Sequence, residues 1–282
     1  FQVVLNPGDE VIIPSPYWLS YPEMARLAGA IPIFISSSPE NGFKINLREL
    51  ENKITNKTKL LIINSPCNPT GRVIDKSELI AISELMRNHP QVSIMSDEIY
   101  EFLISPKAQH ISIGEVAPDL RSRIFIVNGF AKAWAMTGWR VGYLSGNVEV
   151  IKKAIALQSQ STSNVCSFAQ KGALAAINAS RETMLEMINS YNSRRSLLAN
   201  SLNDIEGISL YPQEGAFYAF PKLPEQAKDS LSFCKLALER FGLAIVPGLP
   251  FGNDQCVRLS CAVSIETIHD GINRLKNLLK TI

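Results

Sequence analysis

Six short apolar runs constrain this chain more than anything else in it. Glu10–Pro14 (EVIIP) and residues 31–36, 59–64 (KLLIIN), 92–96 (VSIMS), 123–127 (RIFIV) and 140–144 are rich in β-branched residues. They lack the polar alternation of a strand with one wet face, so both of their faces call for burial. Helical patterns separate the first of them. Residues 21–29 form one, and residues 47–54 a second, opened by Asn46 with Glu49 three positions on. In the third, Leu79, Ile82 and Leu85/Met86 recur behind Asp75 and Glu78 until His89-Pro90 ends the run. Apolar strands alternating with helices predict an α/β architecture, a mostly parallel sheet sandwiched by helices.

Further along, the order changes. Residues 148–160 and Ser167–Asn178 read as helices, and residues 181–204 as a long charged helix linking two bodies. Strand-like residues 208–211 and 216–220 follow, then a helix over 229–241 and strands near 243–246 and 257–261. In the closing helix Ile265, Ile268, Ile272, Leu275 and Leu279 share one face. The pattern divides the chain into a large domain, residues 1–185, and a smaller α+β C-terminal domain, residues 186–282, that begins with the connecting helix. At the other end, residues 1–5 read as the apolar tail of a helix stopped by Asn6-Pro7-Gly8-Asp9.

Composition removes several functions. Hydrophobic residues make up 46% of the 282 and charged residues 19%, enough for a core and too apolar for disorder. With 28 basic and 26 acidic residues the net charge is +2, so nothing draws the chain to nucleic acid or to an acidic membrane. Uncharged stretches such as 28–39 and 241–253 are short and broken by Pro or Gly, so no membrane span is expected. The five cysteines are scattered, with no C-x-x-C pair, as in reduced thiols of a cytoplasmic protein. Three dispersed histidines predict no metal site. Dinucleotide, P-loop, nucleophile-elbow and zinc-peptidase signatures are all absent.

What remains is a set of polar residues at strand ends, the edge at which open α/β sheets bind ligands. Asn68 follows KLLIIN, Asp97 ends VSIMS with Tyr100 three residues later, Lys132 follows RIFIVNGFA, and Arg140 opens the next strand. Each has a plain alternative: Asp97 as a helix cap, Lys132 as a surface lysine, Arg140 as an ion-pair partner, Asn68-Pro69-Thr70-Gly71 as a turn. Their conjunction favours a site.

Longer motifs surround these residues. Ser65-Pro66-Cys67-Asn68-Pro69-Thr70-Gly71, Ser96-Asp97-Glu98-Ile99-Tyr100, Asn128-Gly129-Phe130-Ala131-Lys132 and Met136-Thr137-Gly138-Trp139-Arg140 closely resemble those of the class I aminotransferases. Pro14-Ser15-Pro16-Tyr17-Trp18 and Val257-Arg258-Leu259-Ser260 match in the same order, and the bacterial aspartate aminotransferases are most similar. The resemblance implies a fold-type-I enzyme dependent on pyridoxal 5′-phosphate (PLP). It implies that Lys132 holds the cofactor as a Schiff base and, once displaced, moves a proton from the substrate Cα. A lysine suits both tasks because its neutral amine is nucleophile and base.

By the same resemblance Asp97 faces the pyridine nitrogen, Asn68 and Tyr100 bond the ring oxygen O3′, and Trp18 stacks on the ring. Arg140 binds the phosphate and Arg258 the substrate α-carboxylate, tasks that suit a two-pronged guanidinium. Trp18 and Asn68 also border the substrate, and Gly215-Ala216-Phe217-Tyr218 resembles a stretch lining the pocket. Lys132, Asp97 and Tyr100 form the implied catalytic set.

Two departures accompany the match. Gly129 stands where many relatives carry a serine that helps bind phosphate, and Ala131 where another serine is common. The family's N-terminal portion, with a substrate-contacting glycine, a Gly-rich phosphate turn and a tyrosine donated across the dimer, has no counterpart before Phe1. A chain limited to these residues is expected to have an incomplete cofactor site. The implied activity is transamination between an L-amino acid, aspartate by resemblance, and a 2-oxo acid, 2-oxoglutarate, in a homodimer. Residues 158–164 resemble a loop that reaches toward the neighbour. Another PLP chemistry on the same scaffold (a β-lyase or decarboxylase) and a non-catalytic sensor domain are the alternatives. Arg258 reads only the carboxylate that all α-amino acids share, so residues do not set the donor.

Overall fold

The computed structural model describes residues 1–180 and 182–282. In chain order the elements are β1 (Glu10–Pro14), α1 (Ser20–Leu27), β2 (Ile31–Ile35), α2 (Leu47–Lys53), β3 (Thr58–Asn64), α3 (Lys76–Arg87), β4 (Ser93–Asp97) and α4 (Ile113–Val116). Then come β5 (Ile124–Gly129), β6 (Gly142–Ser145), α5 (Val148–Ser161), α6 (Ser167–Asn178) and α7 (Glu182–Asn203). The remainder holds β7 (Tyr218–Ala219), α8 (Ser230–Phe241), β8 (Val246–Pro247), β9 (Val257–Ser260) and α9 (Ile265–Leu279).

The first sheet has the order β2-β1-β3-β4-β5-β6. Strands β1 to β5 pair in parallel, and their apolar runs serve both faces. Ile12, Leu61, Ile63 and Ile94 enter one core with α2 and α3, while Val11, Ile13, Leu60 and Ile62 enter another with α1. That double burial is why these strands show no polar alternation. The chain leaves β1 for β2 on one side and returns to β3 on the other, so a crevice opens between the carboxyl ends of β1 and β3. The expected caps form as well: Asn46 Oδ1 accepts from Glu49 N–H at 3.1 Å and Asp75 Oδ1 from Glu78 N–H at 2.9 Å.

Several expectations need correction. Strand β6 runs antiparallel to β5 and all four of its residues are exposed, so the sheet is not covered at that edge. Helix α5 likewise buries no residue. Residues 208–211 form no strand, making one isolated bridge from Ser209 to Lys222, and residues 216–220 contribute only the two residues of β7. Short polar-flanked runs of this kind find their partners in tertiary contacts, which pattern alone does not specify. Residues 1–5 form a turn in which the Val4 and Leu5 N–H groups donate to the Phe1 carbonyl. The long helix is described over Glu182–Asn203, and Arg181, where its expected range starts, lies outside the described residues.

The second sheet is β7-β9-β8, antiparallel, packed under α7, α8 and α9. Its core gathers Leu198, Leu202, Phe233, Ala237, Val257, Ile268, Ile272 and Leu275. Two features stitch it to the first sheet. Gly71 carbonyl accepts from both Glu214 and Gly215 N–H groups, and Arg195 of α7, buried, donates to the carbonyls of Leu103 and Ala216. Among the described residues no helix is long and apolar enough to cross a membrane.

Candidate active site

The residues singled out by motif converge at the carboxyl edge of the first sheet, facing β7 and β9. Asp97 closes β4. Its carbonyl is held by Asn64 Nδ2 at 2.9 Å and by the Ser65 N–H at 3.1 Å, so the ends of β3 and β4 lock together. Asn64 Oδ1 accepts from Asn68 N–H at 2.9 Å, which fixes the turn that presents the Asn68 side chain. Asn68 Oδ1 accepts from the Arg258 guanidinium at 3.0 Å, joining β3 to β9. Arg258 lies 4.5 Å over the Tyr218 ring and 4.8 Å over that of Phe251, and the Tyr218 hydroxyl sits 3.0 Å from that of Tyr100. A connected set of side chains therefore runs from Asp97 through both sheets to Tyr100, three residues on from Asp97.

Lys132 stands beside this set, half-buried, with Nζ 5.7 Å from the Tyr100 ring centroid and 5.5 Å from that of Phe217. Burial lowers its pKa, and the nearby Arg140 and Arg258 charges push the same way, against the pull of Asp97. Asp97 is moved upward, above all by burial and also by Glu98. The Tyr21 hydroxyl, 2.6 Å from Oδ2, the Ile99 N–H, 3.2 Å from Oδ1, and Lys132 oppose that rise. Tyr100 is raised by burial and by Tyr218. These opposing shifts put a carboxylate and an amine in an environment that favours the neutral form of each.

Trp18 is 37% exposed and meets Tyr21 edge-on, with ring centroids 5.3 Å apart. Arg140 is exposed, with a left-handed φ of 56° after the turn at residues 137–139, and donates to the Thr137 carbonyl at 2.8 Å. It reaches the carboxyl edge although it precedes its strand, because β6 runs opposite to β5. A sheet parallel throughout would have put it at the far edge. Gly129 faces Gly142 across the β5–β6 pair, where a Cβ would lie 2.9 Å from both Gly142 Cα and Val141 O, so close strand approach keeps this position small.

Sequence reasoning missed Tyr21 and Asn64, and reached Tyr218 only as part of a stretch lining the pocket. Tyr21 is fully buried in an otherwise apolar helix face, and a buried phenol requires a partner for its hydroxyl. Asn64 ends an apolar strand, a similar signal. Only the folded chain identifies the partners. The dispersed histidines also understate one contact: ligand atoms of Glu98, Glu101 and His110 lie within 4.8 Å of one another. There Glu98 accepts from Ser96 and Ser112 and meets His110 Nε2 at 3.3 Å, while Glu101 accepts from Asn128.

The family model for "Aminotransferase class I and II" matches residues 1–275. The aspartate aminotransferase of Bacillus subtilis (strain 168) is 44% identical over 285 residues, covering 99% of this chain and 72% of that protein. A probable aspartate/prephenate aminotransferase of Rickettsia prowazekii is 41% identical, with 98% and 72% covered. Among solved structures, the aspartate aminotransferase of Rhizobium meliloti superposes with a TM-score of 0.95 at 33% identity, covering 99% of this chain and 72% of that one. That of Thermus thermophilus with maleate gives 0.92 at 40% identity, covering 98% and 72%.

Proposed function

The chain belongs to the class I and II aminotransferases, a fold-type-I family dependent on PLP, and from that membership we propose that it passes the amino group of L-aspartate to 2-oxoglutarate. The names of the similar proteins from Bacillus and Rickettsia support aspartate as donor. The same names favour transamination over the β-lyase, decarboxylase and sensor readings.

The residues present fit the cofactor. Asp97 is a half-buried carboxyl with no cation bonded to it among the described residues, as a protonated ring nitrogen would require. The Lys132 amine makes no hydrogen bond or ion pair among the described residues, and Arg258 Nε is buried without an acceptor. PLP supplies an aldehyde that captures amines and a ring that takes up the electron pair left when a Cα–H bond breaks.

In this reading the lowered Lys132 pKa keeps Nζ available as nucleophile and then as the base that takes the Cα proton. Asp97 holds the ring nitrogen's proton, and Tyr21 and Ile99 hold Asp97. Asn68 and Tyr100 would donate to the ring oxygen, the exposed Trp18 would support the ring, and Arg140 would take the phosphate. Arg258, preset by Asn68, takes the α-carboxylate with its free donors. The single observation that carries the proposal is the half-buried Lys132 amine, which has no hydrogen bond or ion pair among the described residues and feels the charges of Asp97, Arg140 and Arg258.

We place the division between large and small domains at residues 185/186. The exposed apolar residues of β6, α5 and α6, among them Tyr143, Val148, Ile155 and Phe168, suit a homodimer contact. The scattered cysteines suit a cytoplasmic compartment.

Mixing the purified chain with PLP and following visible absorbance tests the reading. A bound-cofactor band is expected, bleached by aspartate and restored by 2-oxoglutarate, with glutamate as product. Lys132→Ala should lose both the band and the transfer, and an unchanged band in that variant overturns the lysine assignment. Pyruvate and ammonia in place of glutamate overturn transamination.

A further inference from the structure

We infer that Tyr218 is a positioning residue that ties the cofactor side of the site to its substrate side, through the Tyr100 hydroxyl and the Arg258 guanidinium. The inference rests on the reading of Tyr100 and Arg258 given above. Tyr218 sits in β7, paired with Ser260 of β9, so its side chain and that of Arg258 come from adjacent strands. Each part of the residue is engaged. Its carbonyl accepts from Gln213 Nε2, its ring lies 4.5 Å beneath the Arg258 guanidinium, and its hydroxyl is 3.0 Å from that of Tyr100. The ring is held by Phe217 at 4.6 Å and by Tyr100 at 5.9 Å, both between centroids, and the residue is 8% exposed.

The hydroxyl is what packing does not explain. A phenylalanine would fill the same space and leave no polar atom to desolvate, so a buried hydroxyl here calls for a partner. The partner is Tyr100, and two phenols sharing one hydrogen bond leave one proton over. With Tyr218 as donor, the Tyr100 proton is free to point at the cofactor's ring oxygen, and the two bonds in series strengthen each other. The ring stacked under Arg258 meanwhile attracts the guanidinium and keeps it in the plane from which it also reaches Asn68. The charged and titratable groups facing this pair are Lys132, Asp97 and Arg258 around Tyr100, and Arg258 and Tyr191 around Tyr218. Removing the Tyr218 hydroxyl changes no formal charge among them at neutral pH.

Two substitutions separate the two ties. Tyr218→Phe deletes the hydroxyl and keeps the ring. A donor to the ring oxygen favours its deprotonated form, so a weaker donor moves the pH midpoint of the bound cofactor's visible band upward, by about 0.3 to 0.5 unit. Affinity for maleate, a non-reacting dicarboxylate, should change less than about twofold in this variant, since the ring under Arg258 remains. Tyr218→Leu removes the ring and should weaken maleate about fivefold or more beyond the Phe variant. Circular dichroism checks that both variants fold. A band midpoint in Tyr218→Phe that coincides with wild type overturns the tie to Tyr100, and equal maleate affinity in the Phe and Leu variants overturns the tie to Arg258. If wild type forms no band, or Lys132→Ala keeps it, the underlying cofactor reading fails and the inference falls with it. A leucine variant that does not fold leaves the Phe titration to decide.

Discussion

Tyr21 shows how much one hydroxyl decides in a site built around a half-buried carboxyl. Its bond to Asp97 Oδ2 is 2.6 Å, and with the Ile99 N–H it holds down a pKa that burial raises. Because folded Asp97 lies above its unfolded value, it adds stability below about pH 3.9, and that contribution is lost as pH rises through the folded value. Tyr21→Phe raises the folded value further and so enlarges the loss. We therefore expect Tyr21→Phe to cost about 2 kcal/mol at a pH where Asp97 is ionised and the bond is charge-assisted, and about 1 kcal/mol at a pH low enough to protonate it, where the bond is between neutral groups. Urea unfolding of the cofactor-free variant at both pH values checks this, and a cost independent of pH would contradict it. The motif residues Asn68, Asp97, Tyr100, Lys132, Arg140 and Arg258 were readable from sequence because each has a fixed neighbour pattern. Tyr21 was not, and the contact made by Tyr218 was not, because each acts through a partner 76 and 118 positions away, respectively.

At the scale of elements, the turn that presents Asn68 depends on an ion pair outside the site. Arg72, just beyond that turn, donates to Glu78 of α3 and to the Phe43 carbonyl, and Glu78 in turn accepts from the Ile45 N–H. Both side chains of the pair are at least nine-tenths buried. Arg72→Ala strands the Glu78 carboxylate, and the expected loss is about 3–5 kcal/mol in urea unfolding, with weaker PLP binding through the loosened Asn68 turn. Replacing the pair together, Arg72→Met with Glu78→Leu, should recover only part of it, because the Ile45 N–H loses its acceptor. The order of strands and helices in the first sheet followed from periodicity, as did the caps at Asn46 and Asp75. The direction of β6 did not, since an apolar run carries no mark of parallel or antiparallel pairing. The two-residue β7 and β8 lie below the length at which any period can be read.

For the whole molecule the open question is assembly. Phe168 on α6 is 70% exposed beside Trp139, and Val148, Ile155 and Ile177 are each at least 60% exposed on α5 and α6. If a second copy covers them, sedimentation should find wild type dimeric, and Phe168→Glu should weaken association at least about tenfold, the value of one buried aromatic side chain. A monomeric wild type would overturn the proposal. Sequence by itself determined the α/β class, the parallel core strands and the identity of the residues that the family's motifs mark. It could do so because burial on two faces and the motif spacings are local properties of the chain. Tertiary structure alone decided that Arg140 shares an edge with Asp97 through a reversed strand, and that Arg258 is preset by Asn68. It alone brought Tyr21 and Tyr218 to the two ends of the site. Those contacts join segments far apart in the chain, and no local pattern records which distant group a side chain will meet.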